Sequence, residues 1–134
     1  MFGATLFLLN KNHQLYLNEK IKKYNINIIQ GLILLRLTEF PNSSQGNLGK
    51  YLSLSKGSMA KYLTDLENKG FITREKLKTN KRKYRIKLEN KSTPIIEDIK
   101  NTSKKWEEEV GIKNLNPKFL TEFEKILEKS KKII

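Results

Sequence analysis

Nine lysine and arginine side chains within 21 consecutive residues point to binding of a polyanion. The stretch 71–91 carries nine basic and two acidic groups, which is +7 of the +13 net charge of the 134-residue chain. Residues 1–70 carry nine basic against four acidic groups, and residues 92–134 carry nine against eight. Because a generally lysine-rich chain would show the excess in every block, this concentration indicates a surface that faces phosphates. The plainer alternative is a solvated hairpin that happens to be basic.

The segment before this basic stretch has the pattern of a helix whose polar face suits a DNA groove. Ser55 is expected to cap it, and Gly70 is expected to end it in a left-handed conformation. The buried stripe has spacings of four and then three residues: Met59, Leu63 and Leu66. The opposite face is small and polar with two lysines, so it can lie flat in a major groove: Lys56, Gly57, Ser58, Ala60, Lys61 and Thr64. Two alternatives stay open. Lys61 can be a solvated helix lysine that pairs with Asp65, and glycine can be tolerated at position 57 without any approach to DNA.

Residues 71–77 and 83–88 are typical of two strands joined by a basic tip, residues 78–82. In the second strand the residue types alternate strictly. Tyr84, Ile86 and Leu88 are expected on one face, and Lys83, Arg85 and Lys87 on the other. A hairpin of this kind would project its cationic face away from the core.

The remaining segments predict helices that support these two elements. Residues 4–23 form an apolar first helix, and an Asn27–Gln30 capping box opens a second, apolar nearly all round and therefore central. Ser44 caps a third helix that Gly46 and Gly49 weaken, so Leu48, Tyr51 and Leu52 must anchor it. Two further helices, 93–110 and 116–131, each begin with a first-turn proline.

The order of helix, turn, helix and charged hairpin predicts a winged helix-turn-helix. The fold class is therefore mainly α with a small β wing (α+β), in a single domain of residues 1–134. The absence of cysteine excludes disulfides and thiolate metal sites, and one histidine, His13, leaves no nitrogen-rich metal cluster. No phosphate loop, nucleophile–histidine pair or carboxylate cluster indicates an enzyme, so we expect no catalytic, metal or cofactor site. We expect no membrane span or signal peptide and a cytoplasmic location.

Three stretches of the chain resemble the MarR family of winged-helix regulators. They are 48–59, similar to that family's third helix and turn; 63–72, similar to its recognition-helix exit; and 80–88, similar to its wing. The resemblance implies a DNA-binding lobe at 25–90 and a helical dimerisation region at 1–24 and 92–134. It also implies a homodimeric transcription factor, usually a repressor, on a pseudo-palindromic operator of double-stranded DNA. In many members a small-molecule effector releases the DNA.

Ten residues are expected to contact DNA: Ser44, Ser55, Lys56, Gly57, Ser58, Lys61, Lys78, Lys81, Arg82 and Lys83. The fourth helix would enter the major groove, and Arg82 at the wing tip would reach a narrow minor groove. The lysines of the hairpin would neutralise phosphates and set the register rather than read sequence. Asn80 replaces the aspartate that usually starts the family's wing tip, so Arg82 would be less rigidly oriented.

Two other interpretations are open at this stage. A non-specific architectural winged helix would bind any duplex through the same lysine-rich wing, and it would differ in salt dependence and operator preference. An RNA-binding module would need aromatic side chains on an exposed sheet face, whereas Tyr84 shares its face with two apolar residues. His13 is expected to be a partly buried packing residue, with a place in a pocket wall as the alternative.

Overall fold

The computed structural model describes residues 1–79 and 83–134 and confirms the predicted fold class, mainly helical with a two-stranded wing. The elements are α1 (Phe2–Ile21), α2 (Ile28–Glu39), α3 (Gln45–Leu52), α4 (Lys56–Asn68), β1 (Ile72–Lys76), β2 (Tyr84–Leu88), α5 (Thr93–Val110) and α6 (Pro117–Lys131). The chain divides into two compact units, Met1–Ser103 and Lys104–Ile134. The predicted wing-tip residues Asn80, Lys81 and Arg82 lie outside the described residues.

The predicted starts of α2, α3 and α4 are confirmed by the capping contacts, whereas α1 lies two residues earlier than the predicted 4–23. The Asn27 side chain accepts a bond from the Gln30 amide at 2.9 Å, and the Gln30 side chain accepts one from the Asn27 amide at 3.0 Å. Ser44 and Ser55 cap α3 and α4 in the same way, each accepting an amide bond at 3.1 Å from the third residue of its helix. Gly70, with a φ of +79°, ends the α4 segment in the left-handed region that glycine tolerates best.

The core of the first unit lies around α2 and α4. The predicted stripe of α4 is buried, as are three residues of α2 and one of α3: Met59, Leu63, Leu66, Ile33, Leu34, Leu37 and Leu48. Ile72 and Ile86 close this core from the hairpin, and Ile95, Ile96 and Ile99 close it from α5. Leu48 therefore anchors the glycine-weakened α3 by tertiary packing, as predicted.

Tyr51, one of the predicted anchors of α3, holds that helix from the surface and not from the core. Its side chain is 38% exposed, and its ring lies 3.8 Å from the Arg36 guanidinium carbon. Phe40 lies at 3.9 Å from the same carbon, so the cation of α2 is held between two aromatic rings. A cation–π contact needs no burial, because the ring face itself attracts the charge. Tyr51 thus ties α3 to α2 at the surface rather than in the core.

The hairpin is antiparallel, with a register that runs from Ile72 opposite Leu88 to Lys76 opposite Tyr84. The predicted alternation of β2 is confirmed: Ile86 is buried, whereas Arg85 is exposed. The segment before α3 adds to the sheet, since the Ile86 amide donates to the Ser43 carbonyl at 3.1 Å and Ser44 bridges to Arg85. The wing is therefore bonded directly to the start of the helix-turn-helix.

A polar network joins the start of α2 to the second half of α4. The Asp65 carboxylate accepts bonds at 2.7 Å from both Gln30 and Lys69. Lys69 also donates to the Asn25 carbonyl, in the turn that precedes α2. These bonds lower the pKa of Asp65, the Lys69 bond contributing most and the Gln30 bond next. The network holds the orientation of α4 against α2.

Replacing Asp65 by Asn should destabilise the fold by about 0.5–1 kcal/mol at neutral pH, because the charged hydrogen bond is lost at a part-exposed site. The folded pKa is lowered below 3.8, so this contribution is present above that pH and is lost as the pH falls through the folded pKa. Urea unfolding of wild type and variant at pH 7 and pH 2.5 measures the difference. A difference that is unchanged at pH 2.5 would contradict the assignment. Glu19→Gln, at an exposed carboxylate of α1, is the control.

Helix α6 in the second unit has an apolar stripe that the unit itself does not cover. Its five members are between 37% and 52% exposed: Phe119, Leu120, Phe123, Ile126 and Leu127. The rings of Phe119 and Phe123 stack at 5.8 Å. In the first unit, α1 likewise exposes Phe2, Leu6, Phe7, Leu8 and Leu9. Across the described part of the chain, no helix combines the length and apolar character needed to cross a membrane.

Candidate nucleic-acid interface

The first turns of α4 present the polar surface that the sequence predicts. Lys56, Gly57, Ser58 and Lys61 are all exposed. The Ser55 hydroxyl donates to the Ser58 hydroxyl at 3.0 Å, so the capping group holds a second polar side chain in place. The first turn contains no acidic residue, and the unpaired amides of a helix start favour an anion. This end of α4 is therefore suited to a phosphate or to the edge of a base.

Gly57 has open space around it. An added Cβ at this position would meet no atom within 4 Å, so the fold itself does not require glycine here. The close approach of a DNA backbone to this residue stays a prediction. Lys61 is exposed, and the Asp65 carboxylate binds Lys69 and Gln30, so the DNA contact of Lys61 also stays a prediction.

The start of α3 lies beside the base of the wing. Ser44 is half-buried, its hydroxyl caps the Asn47 amide at 3.1 Å, and its backbone bridges to Arg85 of β2. Arg85 is exposed and was absent from the predicted contact residues. The signal for it was present, since the alternation of β2 puts Arg85 on the same face as Lys83. Ser44 and Arg85 thus bring one helix start and one cation together.

The basic residues of the hairpin do not all serve one surface. Arg74 binds Glu67 at 3.0 Å, and Lys87 lies 3.4 Å from Glu75 on the opposite strand. Lys91 donates to the Lys69 carbonyl at 2.8 Å. The described cations that remain for an outer surface are all exposed: Lys76, Lys78, Lys83 and Arg85. The excess charge of the wing is therefore concentrated toward its tip, and Lys87 is in part neutralised within the protein.

The carboxylates of α4 do not oppose this positive surface strongly. Asp65 lies against Lys69, and Glu67 against Arg74. The Arg74 hydrogen bond is the main reason that the pKa of Glu67 is lowered. Because each carboxylate keeps its charge beside a cation, the two pairs add little net charge to the helix. The exposed lysines at the start of α4 then dominate its field.

A small cavity of about 50 Å³ lies among α1, α2 and α5 within the first unit. Its wall is almost wholly apolar: His13, Leu17, Ile21, Ile28, Gly31, Leu32, Leu35, Ile99 and Ser103. His13 is half-buried and belongs to this wall, which is the pocket alternative considered for it. Gly31 lets Ile99 of α5 pack closely against α2, since an added Cβ would lie 3.0 Å from the Ile99 side chain. Within residues 1–79 and 83–134 no three His, Cys, Asp or Glu side chains are grouped to hold a metal ion.

Comparison with known proteins agrees with this geometry. Residues 26–84 match the model of the MarR family. The chain is similar to a MarR transcriptional regulator from Methanosarcina mazei Go1, with a TM-score of 0.86 and 26% identity over 99% of this chain and 98% of that one. S. aureus MepR in a DNA complex gives 0.80 and 17% over 97% and 95%. Apo wild-type MarR from E. coli gives 0.73 and 23% over 97% and 96%; these last two show a shared fold.

Proposed function

We propose that this member of the MarR family of winged-helix transcriptional regulators binds a specific sequence of double-stranded DNA. The observation that carries the proposal is the exposed, acid-free start of α4, on a helix that packs against the first strand of a cationic wing. The lysines at the start of α4 and near the tip of the wing project into solvent and not into the core. Both match the two chemical demands of duplex recognition, which are contacts to base edges and neutralisation of phosphates.

In the proposed complex α4 lies in the major groove, with Lys56, Ser58 and Lys61 toward the bases or adjacent phosphates. Lys78, Lys83 and Arg85 would follow the phosphates that flank the groove. Arg82 would enter the neighbouring minor groove, where a narrow A·T-rich stretch concentrates negative potential. Ser44 and the start of α3 would face the sugar–phosphate backbone. Lys81 would add a further phosphate contact at the tip.

We further propose that the protein acts as a homodimer and as a repressor on a pseudo-palindromic operator. The support is the uncovered apolar surface of α6 and α1, which is unusual for a chain that works alone. Two lobes on one face of a duplex require half-sites about 34–36 Å apart. Such a protein would act in the cytoplasm, where it would compete with RNA polymerase for promoter DNA.

We propose the cavity among α1, α2 and α5 as the place where a small-molecule effector would bind. Its volume of about 50 Å³ is well below that of a typical ligand pocket, so an effector would have to widen it. Its wall offers few polar partners to hold water. The wall includes Gly31 and Ile28 of α2, the helix that packs against α4. A ligand that widened this space would therefore displace α2 and, with it, the recognition helix.

Replacing Lys61 by Ala should lower the preference for the operator over random duplex by about tenfold, because a contact to a base edge is removed. Fluorescence anisotropy titrations with both duplexes, each at several salt concentrations, measure this ratio. Lys100→Ala, at an exposed lysine of α5, is the matched control and should leave the ratio unchanged. Equal effects of the two variants would mean that α4 is not the reading element. A wild type without any preference would favour a non-specific architectural role.

A further inference from the structure

Among the described residues of the hairpin, Arg74 is the cation whose side chain binds side chains of the recognition helix α4. Its Nη2 donates to the Glu67 carboxylate at 3.0 Å and lies 3.3 Å from the Thr64 hydroxyl. Both partners belong to α4, whereas Arg74 belongs to β1. The guanidinium also lies 5.9 Å from the centre of the Tyr84 ring on β2. One side chain of the wing thus contacts both strands and the helix.

This arrangement differs from that of the other hairpin cations. The Arg74 side chain is 19% exposed and Glu67 is 36% exposed, so the pair is shielded from solvent on most sides. Lys87 and Glu75, by contrast, are 51% and 66% exposed and join only the two strands. Thr64 lies one turn after Lys61 on the polar face of α4. The contact therefore meets the helix just beyond the part that we assign to the major groove.

We propose that the Arg74–Glu67 ion pair positions the wing relative to the recognition helix, so that both reach DNA together. Arg74 is in this view a positioning residue and not a phosphate contact, although it belongs to the basic stretch. The inference rests on the proposed function, because it concerns how that same surface engages a duplex. The planar fork of arginine suits the role, since its nitrogens can bind a hydroxyl and a carboxylate at once.

A positioning role for the pair and simple electrostatics predict opposite changes in DNA affinity when Glu67 loses its charge. Removing the negative charge of Glu67 would make the helix more positive and, by charge alone, would strengthen DNA binding. If the pair positions the wing, the same change must weaken binding, because the wing loses its fixed orientation. Removing Arg74 must have a similar effect, and removing both must cost no more than either one alone.

The test uses the full-length protein and the duplex that it selects from a random library. We expect Glu67→Gln and Arg74→Met each to lower affinity about tenfold, and the double variant to be no weaker than the singles. Hydroxyl-radical footprints should lose protection of the minor groove beside the wing. Dimethyl sulfate protection of the major groove should be kept. Glu75→Gln is the matched control, since it removes a wing carboxylate whose partner among the described residues is Lys87 of the other strand. It should bind as tightly as wild type or more tightly.

Tighter or unchanged binding by Glu67→Gln would overturn the proposal, and so would additive losses in the double variant. Circular dichroism and urea unfolding check that each variant folds. If Arg74→Met fails to fold, Arg74→Lys replaces it and should show an intermediate loss. A wild type that selects no sequence would instead refute the proposed function, before any variant is compared.

Discussion

A chain that ends at residue 115 should be monomeric or insoluble and should bind operator DNA at least about a hundredfold more weakly than the full chain. The deletion removes α6 and its five exposed apolar side chains. In the homodimer that we propose, those side chains form part of the contact between the subunits, and a monomer reaches only one half-site at a time. Sedimentation equilibrium gives the mass, and anisotropy titration gives the affinity.

Two further variants distinguish the loss of the apolar stripe from general damage to the chain. Phe119→Lys with Phe123→Lys keeps α6 and should still give a soluble monomer. Glu122→Ala with Lys125→Ala removes the ion pair on the same helix, whose side chains are 3.2 Å apart, and should leave the dimer intact. A well-folded dimer that persists after the truncation would show that α6 does not join the subunits.

Replacing Leu63 by Ala should lower the free energy of unfolding by about 3 kcal/mol. Leu63 has no exposed surface and lies in the core cluster that includes Ile33, Leu48 and Ile86. Shortening this side chain would leave a cavity on the inner side of α4, the side that holds this recognition helix against the core. Because the side chain contacts α4's neighbours rather than solvent, this loss should lower operator affinity only through the folded fraction. Urea unfolding at a fixed protein concentration measures it.

Lys61→Ala is the matched control for Leu63→Ala, because it lies on the same helix with its side chain in solvent. Its effect on unfolding should be within about 0.5 kcal/mol. The two variants are thus expected to separate stability from recognition, since Leu63 affects the first and Lys61 the second. A loss below 1 kcal/mol for Leu63→Ala would contradict its central place in the core.

The features that depend on neighbours in sequence were predictable. The caps at Asn27, Ser44 and Ser55 and the stop at Gly70 follow from local hydrogen bonding and backbone conformation. The buried stripe of α4 and the alternation of β2 follow from helical and strand periods. These features, together with the order of the elements, were sufficient for the winged helix, and the family match confirms the resemblance.

Pairings between distant residues were not predictable from the sequence. A lysine or arginine in a basic stretch does not reveal whether it will meet a phosphate or a carboxylate of its own chain. Arg74 binds Glu67 only after the hairpin packs beside α4, and Lys87 binds Glu75 only after the two strands pair. The partner of Tyr51 was unpredictable for a related reason, since Arg36 comes from another helix. The contact roles of Lys81 and Arg82 stay predictions, as these residues lie outside the described ranges.

The most direct measurement is selection of bound sequences from a random duplex library by the full-length protein. We expect enrichment of a consensus with two-fold symmetry, whose half-sites are separated by about one helical turn, 34–36 Å. Such a consensus would show base reading and pairing of subunits together. Recovery of unenriched DNA, or of a single half-site without symmetry, would contradict the claim that two winged-helix lobes read one operator.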